Sequence, residues 1–213
     1  MQAVIYDFDG VLVDSVKIKQ QAFYKLFLPE GDDAAELSFN YHMSDNRNRF
    51  EVVNHVSARL GKDVSFRDYK LQLYGEMVVD DIVKAEEIPG AEDLIRDGFE
   101  SSVLQFIASG TPHIELREIV KRRGWSQYIT ESFGTPVKKE QHIDYILKQY
   151  DLNSADVLFI GDMMSDYRAA QPRGLYFLAR TDTGEFDVKV PVVKDFQGQT
   201  VKSLMQMTTN VTT

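Results

Sequence analysis

The chain has 213 residues, a formal net charge of −9 and no cysteine. Without cysteine it can form no disulfide, no thiolate metal site and no cysteine nucleophile. The excess of acidic residues disfavours nucleic-acid binding, which depends on lysine and arginine neutralising phosphates. No apolar run approaches the roughly 20 residues that span a bilayer, and Met1 leads into a strand pattern rather than a signal peptide. We therefore expect a soluble, cytoplasmic protein with no membrane and no nucleic-acid partner.

The first predicted element is a strand, AVIYDFD, which ends at Asp7 and Asp9 and is followed by Gly10. Two carboxylates at one strand end repel each other unless a cation lies between them. With oxygen ligands and no cysteine, Mg²⁺ is the cation that suits such a site. A carboxylate beside Mg²⁺ can attack phosphorus and form an aspartyl-phosphate, while a second carboxyl transfers the protons.

The next stretch, residues 16–88, contains no convincing strand. It holds several helical patterns, for example Val53, Val56 and Leu60 on one helix face. We predict a helical insertion over 16–88, between the first and second strands of an α/β core. Within it, the segment HMSDNRNRF supplies Arg47, a possible contact for an anionic substrate group. A solvated helix start is the alternative interpretation of that segment.

From Pro89 onwards, strand and helix patterns alternate. Strands are predicted at SVLQFIAS, DVLFIGD and LYFLAR, with weaker candidates at YITESF and VPVVKDF. These runs are continuously apolar, which is typical of strands covered by helices on both faces. The pattern predicts an α/β fold with a doubly wound parallel sheet. Its core would comprise 1–15 and 89–207, followed by a polar tail at 208–213.

Three predicted strand ends carry polar segments that contain glycine: DFDG, SGTP and GDMMSD. Open parallel sheets bind ligands at the carboxyl ends of their strands, so these segments should meet at one edge. Ser109, the Gly110 amide and a lysine from the pair Lys138 and Lys139 could hold phosphoryl oxygens there. The plainer interpretations are helix capping, which Thr111 suits best, and solvated lysines at a helix start.

Taken in order, DFDGVLVDS, IASGTP, a lysine just ahead of a helix, and GDMMSD resemble the four motifs of the haloacid dehalogenase-like hydrolase superfamily. The VDS that follows the first motif, with a helical insertion after it, is similar to members that have a helical cap. Phosphoglycolate phosphatases and sugar phosphatases are among these members. The resemblance covers nearly the whole chain, and it implies a Rossmann-like core with an inserted α-helical cap domain.

The resemblance implies a role for each motif aspartate. Asp7 matches the nucleophile, and its side chain would also bind Mg²⁺. Asp9 matches the general acid/base and would give its backbone carbonyl to the metal. Asp162 matches the remaining metal-binding aspartate, whereas Asp166 matches a residue that holds the motif lysine or a metal-bound water.

The resemblance also implies a phosphate-binding site. Ser109 matches the phosphate-binding hydroxyl, with the Gly110 amide beside it. Lys139 matches the motif lysine better than Lys138 does, because it lies three residues after Pro136, as in relatives that read GSPxxK.

These motifs predict a Mg²⁺-dependent phosphatase that acts on a small phosphorylated metabolite, such as a phosphoglycolate-like or sugar-phosphate monoester. A sugar-phosphate mutase of the β-phosphoglucomutase type is one alternative. Such relatives carry a histidine about five residues after their equivalent of Asp14, where this chain has Lys19, and the difference disfavours a mutase. A non-catalytic binding module on the same fold is the other alternative, and the intact motif residues argue against it. The sequence predicts neither the substrate nor the oligomeric state.

Overall fold

The structure is a computed structural model that describes residues 2–44 and 47–209. Its strands are β1 (Ala3–Tyr6), β2 (Leu104–Pro112), β3 (Glu131–Thr135), β4 (Val157–Gly161), β5 (Tyr176–Arg180) and β6 (Val192–Val193). Its α-helices are α1 (Val16–Phe27), α2 (Asp32–Met43), α3 (Arg49–Arg59), α4 (Val64–Lys84), α5 (Ala91–Glu100), α6 (His113–Arg122), α7 (Lys139–Gln149), α8 (Met164–Ala170) and α9 (Val201–Thr209). Every helix in the described part of the chain is too short or too polar to cross a lipid bilayer.

All six strands pair in parallel, in the order β3-β2-β1-β4-β5-β6. This order confirms the predicted doubly wound parallel sheet. The two weaker strand candidates are present but shorter than their apolar patterns, because β3 begins only at Glu131 and β6 has two residues. The strand order reverses between β1 and β4, which is the position where folds of this class form a ligand crevice.

The central strand β1 is fully buried along its whole length. Ala3 and Ile5 pack on one face of the sheet in a core cluster with Ile143 and Ile146 of α7. On a parallel sheet covered on both faces, successive side chains all enter a core, so the strand reads as one continuous apolar run. That burial explains why the strands were recognisable in the sequence.

Ser15–Ala85 forms a separate compact unit, and the remainder of the described chain forms the other. The unit consists of helices α1 to α4, and its core includes Phe23 stacked on Tyr74 with ring centroids 4.3 Å apart. Asn48 and Glu51 form a reciprocal capping box at the start of α3. The sequence suggested 16–88 for this insertion, and its role as a cap stays a prediction.

The chain leaves the α/β unit and returns to it along two adjacent segments. Val13 and Glu87 form an antiparallel bridge, and the Ile88 amide donates to the Leu12 carbonyl at 3.1 Å. The helical unit is therefore inserted at a single point, after Asp14.

The predicted polar tail at 208–213 begins inside α9. Thr208 is buried, and its hydroxyl donates to the Met205 carbonyl at 2.7 Å. Residues 210–213 lie outside the described residues.

Candidate active site

The two acidic motifs, DFDG and GDMMSD, meet where the strand order reverses. Asp7 directly follows β1, and its amide donates to the Ile160 carbonyl of β4 at 2.9 Å. Asp162 directly follows β4, so both carboxylates stand at the carboxyl edge of neighbouring parallel strands. The sequence therefore brings two distant acidic segments together through strand pairing alone.

The chain turns sharply after Asp9. Gly10 has a φ of 76°, a left-handed conformation that favours glycine, and its amide donates to the Val13 carbonyl at 2.9 Å. Phe8, between the two aspartates, is fully buried and fixes the segment in the core. The Phe8 amide also donates to Asp7 Oδ1 at 2.7 Å, which orients the Asp7 carboxylate.

Lys139 reaches this acidic cluster, and Lys138 does not share its contacts. The Lys139 ammonium lies 2.8 Å from Asp7 Oδ1 and 2.6 Å from Asp166 Oδ1. Burial lowers the pKa of Lys139, but Asp166 and Asp7 more than offset this and raise it above its ordinary value. Lys138 occupies the N-cap position of α7 and is exposed. The motif register that favoured Lys139 thus agrees with its position beside Asp7.

Asp166 is fully buried, and both of its carboxylate oxygens have partners. One accepts from Lys139, and the other accepts from the Met163 amide at 3.2 Å. A Cβ added to Gly161 would lie 2.5 Å from Asp166 Cβ, so only glycine permits this close approach. The lysine contact fits the predicted role of Asp166 in holding the motif lysine.

Three carboxylates form a potential metal site: oxygens of Asp7, Asp162 and Asp166 lie within 4.8 Å of one another. Asp162 Oδ1 is buried and has no hydrogen-bond partner. An unsatisfied buried carboxylate oxygen is costly unless an ion or water binds it. The donor set is made only of oxygens, which suits a hard divalent cation such as Mg²⁺.

The electrostatics of the cluster also favour a cation. Burial raises the pKa of Asp7 to about 6, against the lowering effect of Lys139. Burial and the neighbouring charges of Asp7 and Asp166 raise the pKa of Asp162 well above its ordinary value. Three carboxylates share one ammonium here, so the ionised cluster carries excess negative charge that a divalent cation would offset.

The second motif lies beside Asp9. The buried Ser109 hydroxyl lies 3.4 Å from Asp9 Oδ2, and it also accepts from the Thr111 amide at 3.1 Å. The backbone at Gly110 is open, since a Cβ added there would meet no atom within 4 Å. Helix α6 begins at His113 with Pro112 at its N-cap, so Thr111 lies one residue before the cap position that we predicted for it.

Most of the chain corresponds to a known family. The family model described as haloacid dehalogenase-like hydrolase matches residues 4–179. The chain belongs to this family. The match spans both acidic motifs, the Ser109 segment and Lys139. The roles of these residues in catalysis and phosphate binding stay predictions.

Individual relatives agree with that assignment. The chain is 25% identical over 187 residues to the phosphoglycolate phosphatase of Synechococcus elongatus, covering 85% of this chain and 84% of that protein. It superposes on CbbY from Rhodobacter sphaeroides in complex with phosphate with a TM-score of 0.74 at 17% identity, covering 96% of this chain and 99% of the other. For magnesium-bound YfnB from Bacillus subtilis, a HAD-family protein, the TM-score is 0.70 at 16% identity, with 92% and 96% covered. Family membership and the phosphatase relative identify the chain as a phosphatase-type hydrolase.

One member of the site was missed in the sequence. Arg180, at the end of β5, donates to the Gly10 carbonyl at 3.0 Å and to the Lys194 carbonyl at 2.9 Å. It thereby fixes the turn that follows Asp9. An arginine at a strand end is usually interpreted as a charge exposed to solvent. No local sequence pattern indicates that Arg180 contacts the Gly10 carbonyl.

Arg47 lies in the helical unit. Its guanidinium is 3.6 Å from the Glu51 carboxylate and 4.8 Å from the centre of the Tyr41 ring. These contacts join Arg47 to Tyr41 of α2 and to Glu51 in the first turn of α3, and a substrate contact by Arg47 stays a prediction.

Proposed function

We propose that this chain is a Mg²⁺-dependent phosphatase that hydrolyses a small phosphorylated metabolite through an aspartyl-phosphate on Asp7. The observation that carries the proposal is the cluster of Lys139 with the carboxylates of Asp7, Asp162 and Asp166, in which one buried oxygen of Asp162 has no hydrogen-bond partner. Phosphoryl transfer requires mainly positioning and charge compensation, and this cluster is built for both.

The metal would be held by the carboxylates of Asp7 and Asp162 and by the backbone carbonyl of Asp9. When bound, Mg²⁺ supplies positive charge that offsets the carboxylates and the phosphoryl oxygens. Among the protein groups, the Lys139 ammonium, the Ser109 hydroxyl and the Gly110 amide would hold the phosphoryl oxygens. The Phe8 amide and Lys139 both contact Asp7 Oδ1, which fixes the orientation of the nucleophile.

In the first step, an ionised Asp7 oxygen attacks phosphorus and the bond from phosphorus to the ester oxygen breaks. Asp9 gives its proton to that leaving oxygen, so the alcohol departs neutral. In the second step, Asp9 takes a proton from water as the water attacks the phosphorus of the aspartyl-phosphate. The bond to Asp7 breaks, inorganic phosphate leaves, and both aspartates return to their starting forms.

The substrate class follows from the relatives and from the helical insertion. A phosphoglycolate phosphatase matches over most of both chains, which favours the phosphate ester of a small acid or sugar. We propose that the helical unit acts as a cap and that Arg47 contacts an anionic part of the substrate. The absence of a spanning helix from the described chain and the net charge of −9 are consistent with a cytoplasmic enzyme without a nucleic-acid partner.

A mutase would have to return the phosphoryl group to the sugar, and its relatives use a histidine where this chain has Lys19 in α1. We therefore expect no glucose 6-phosphate from β-glucose 1-phosphate. Formation of that product at a rate similar to phosphate release would favour the mutase instead.

The test is phosphate release from a panel of phosphorylated metabolites that includes 2-phosphoglycolate, with Mg²⁺ and with chelator. We expect turnover that chelator abolishes. Asp7→Asn should be folded and inactive, and Asp9→Asn should be slow in both steps. A matched control is Asp151→Asn, because Asp151 is exposed and has a φ of 50°, which asparagine also accepts. An inactive wild-type protein would favour the non-catalytic binding module, and an active Asp7→Asn would refute the nucleophile.

A further inference from the structure

Two hydroxyl groups converge on one oxygen of Asp9. The Thr111 hydroxyl donates to Asp9 Oδ2 at 3.0 Å, and the Ser109 hydroxyl lies at a longer 3.4 Å from the same atom. Thr111 and Ser109 are both almost completely buried, at 2% and 1% exposure. Buried hydroxyls beside a carboxylate hold its orientation strongly, because hydrogen bonds to a charged group are the strong ones.

The two hydroxyls are not equivalent. The Ser109 oxygen already accepts a hydrogen bond from the Thr111 amide at 3.1 Å, so its position is fixed by the backbone while its own hydrogen can turn. The bond of Thr111 to Asp9 is shorter and better formed than that of Ser109. If Ser109 turns its hydrogen to a phosphoryl oxygen, Asp9 keeps the Thr111 hydroxyl.

We infer that Thr111 is the positioning residue of Asp9, and this rests on the proposed function. Its side chain directs the Asp9 carboxyl, and its amide places the Ser109 oxygen, so one residue aligns two members of the site. The Ser109 hydroxyl can then donate its hydrogen bond to the phosphoryl group. Ser109 and Thr111 are both buried and flank the exposed Gly110 in β2, and their hydroxyls lie on the same side of the strand end, since both reach Asp9 Oδ2.

The inference predicts different effects of Thr111 on the rates of the two chemical steps. p-Nitrophenolate is a good leaving group that departs without being protonated, so with p-nitrophenyl phosphate the first step does not need Asp9 as an acid. The second step still needs Asp9 to accept a proton from water. A misdirected Asp9 should therefore slow the breakdown of the aspartyl-phosphate and leave its formation intact.

The experiment compares Thr111→Val, which has the same shape but no hydroxyl, with Thr111→Ser, which keeps the hydroxyl. With p-nitrophenyl phosphate and Mg²⁺, we expect Thr111→Val to show a burst of p-nitrophenol and then a kcat lowered about tenfold to a hundredfold. KM should not rise, and Thr111→Ser should stay within a few-fold of wild type. Thermal melting of both variants checks folding, and Thr111→Ala replaces Thr111→Val if valine prevents it.

A double-mutant cycle with Asp9→Asn tests whether Thr111 acts through Asp9. We expect Thr111→Val to have almost no further effect in that background, because the group that it positions is already lost. Equal fold-losses in both backgrounds, or a Thr111→Val enzyme with wild-type kcat and no burst, would overturn the inference.

Failure of the proposed function would look different, because the wild-type protein itself would then release no p-nitrophenol. The inference keeps its own test in that event. A crystal structure of Thr111→Val in which the Asp9 carboxyl retains its orientation would overturn it, and a rotated carboxyl would support it.

Discussion

Each compact unit contains a lysine that pairs with carboxylates below the surface: Lys70 is buried and Lys139 is mostly buried, but the charge around them differs. Lys70 of the helical unit donates to the Leu26 carbonyl at 2.7 Å and to Glu30 Oε2 at 2.8 Å. The rings of Phe27 and Phe66 lie 5.3 Å from its ammonium. One carboxylate, one carbonyl and two aromatic faces balance one positive charge, and nothing in this set calls for a further ion.

Lys139 of the α/β unit has the same kind of close contacts but a different balance. It lies within 2.8 Å of Asp7 and 2.6 Å of Asp166, and the Asp162 carboxylate stands in the same cluster with an unpartnered oxygen. The excess negative charge is unfavourable for folding and useful for chemistry, since buried groups with raised pKa values gather at functional sites. The contrast indicates that Lys70 stabilises its unit, and it supports our proposal that Lys139 belongs to a site completed by a cation and a phosphoryl group.

The largest expected effect is on catalysis at Lys139. Lys139→Met should lower kcat by about a hundredfold to a thousandfold, because it removes a buried positive charge from the phosphoryl site. Phosphate release under saturating substrate measures this. Lys138→Met is the matched control, as its side chain is exposed, and it should behave as wild type. The reverse outcome would move the phosphate-site role to Lys138.

The next effect is the stabilisation by magnesium and its dependence on pH. Because burial raises the pKa of folded Asp7 to about 6, the contribution of Asp7 to the stability of the metal-free protein falls as the pH rises from about 4 through 6, where an unfolded aspartate is already ionised. Mg²⁺ at about 100 times its Kd should restore about 2.7 kcal/mol. The gain in melting temperature should be larger near about pH 7.5 than near about pH 5, since protons compete with the metal.

Asp162→Asn sharpens the same measurement. It should remove most of the magnesium-dependent gain in melting temperature, and Asp151→Asn should retain the gain. A gain that persists in Asp162→Asn, or that grows as the pH falls, would contradict a metal site built on the Asp7 cluster.

Lys70→Met tests the other half of the comparison. It removes the ammonium that bonds the Leu26 carbonyl and Glu30 Oε2, and we expect a loss of about 1–3 kcal/mol in the free energy of unfolding. Urea unfolding measures the loss, with exposed Lys17→Met as the control. Unchanged stability would show that Lys70 is not a stabilising contact.

The smallest expected effect is at Arg180. Arg180→Met frees the Gly10 carbonyl from its guanidinium partner, and kcat should fall by about two- to tenfold, because one hydrogen bond in the turn after Asp9 is lost. Steady-state kinetics measures this change. Arg173→Met is a matched control, because Arg173 also donates to a backbone carbonyl, that of Ala169, and it pairs with the Asp144 carboxylate. An equal fall in both variants would point to a general loss of stability.

The sheet could be predicted because its strands are buried on both faces and appear as unbroken apolar runs that end in polar residues. The choice of Lys139 over Lys138 could also be made from the spacing to Pro136. These signals are local, and the parallel arrangement then brings the strand ends to one edge without any further information.

The remaining contacts depend on residues far apart in the sequence. Thr111 and Asp9 are 102 positions apart in the sequence, and Arg180 and Gly10 are 170 positions apart. No local sequence pattern can therefore indicate either contact. Thr111 was predicted as a helix cap because threonine before proline suits that role. Its place two residues after Ser109, on the same side of a strand end, is the signal that could have indicated a shared target. Lys70 gave no signal, since lysine is rarely buried.

The most direct test is chemical trapping of the phosphorylated side chain. The wild-type enzyme is incubated with p-nitrophenyl phosphate and Mg²⁺, quenched and reduced with borohydride, which converts an aspartyl-phosphate to homoserine, and the peptides are sequenced by mass spectrometry. We expect homoserine at position 7, more of it in Thr111→Val, and none in Asp7→Asn. Homoserine at another aspartate, or none anywhere in an active enzyme, would contradict the proposal that Asp7 carries the phosphoryl group.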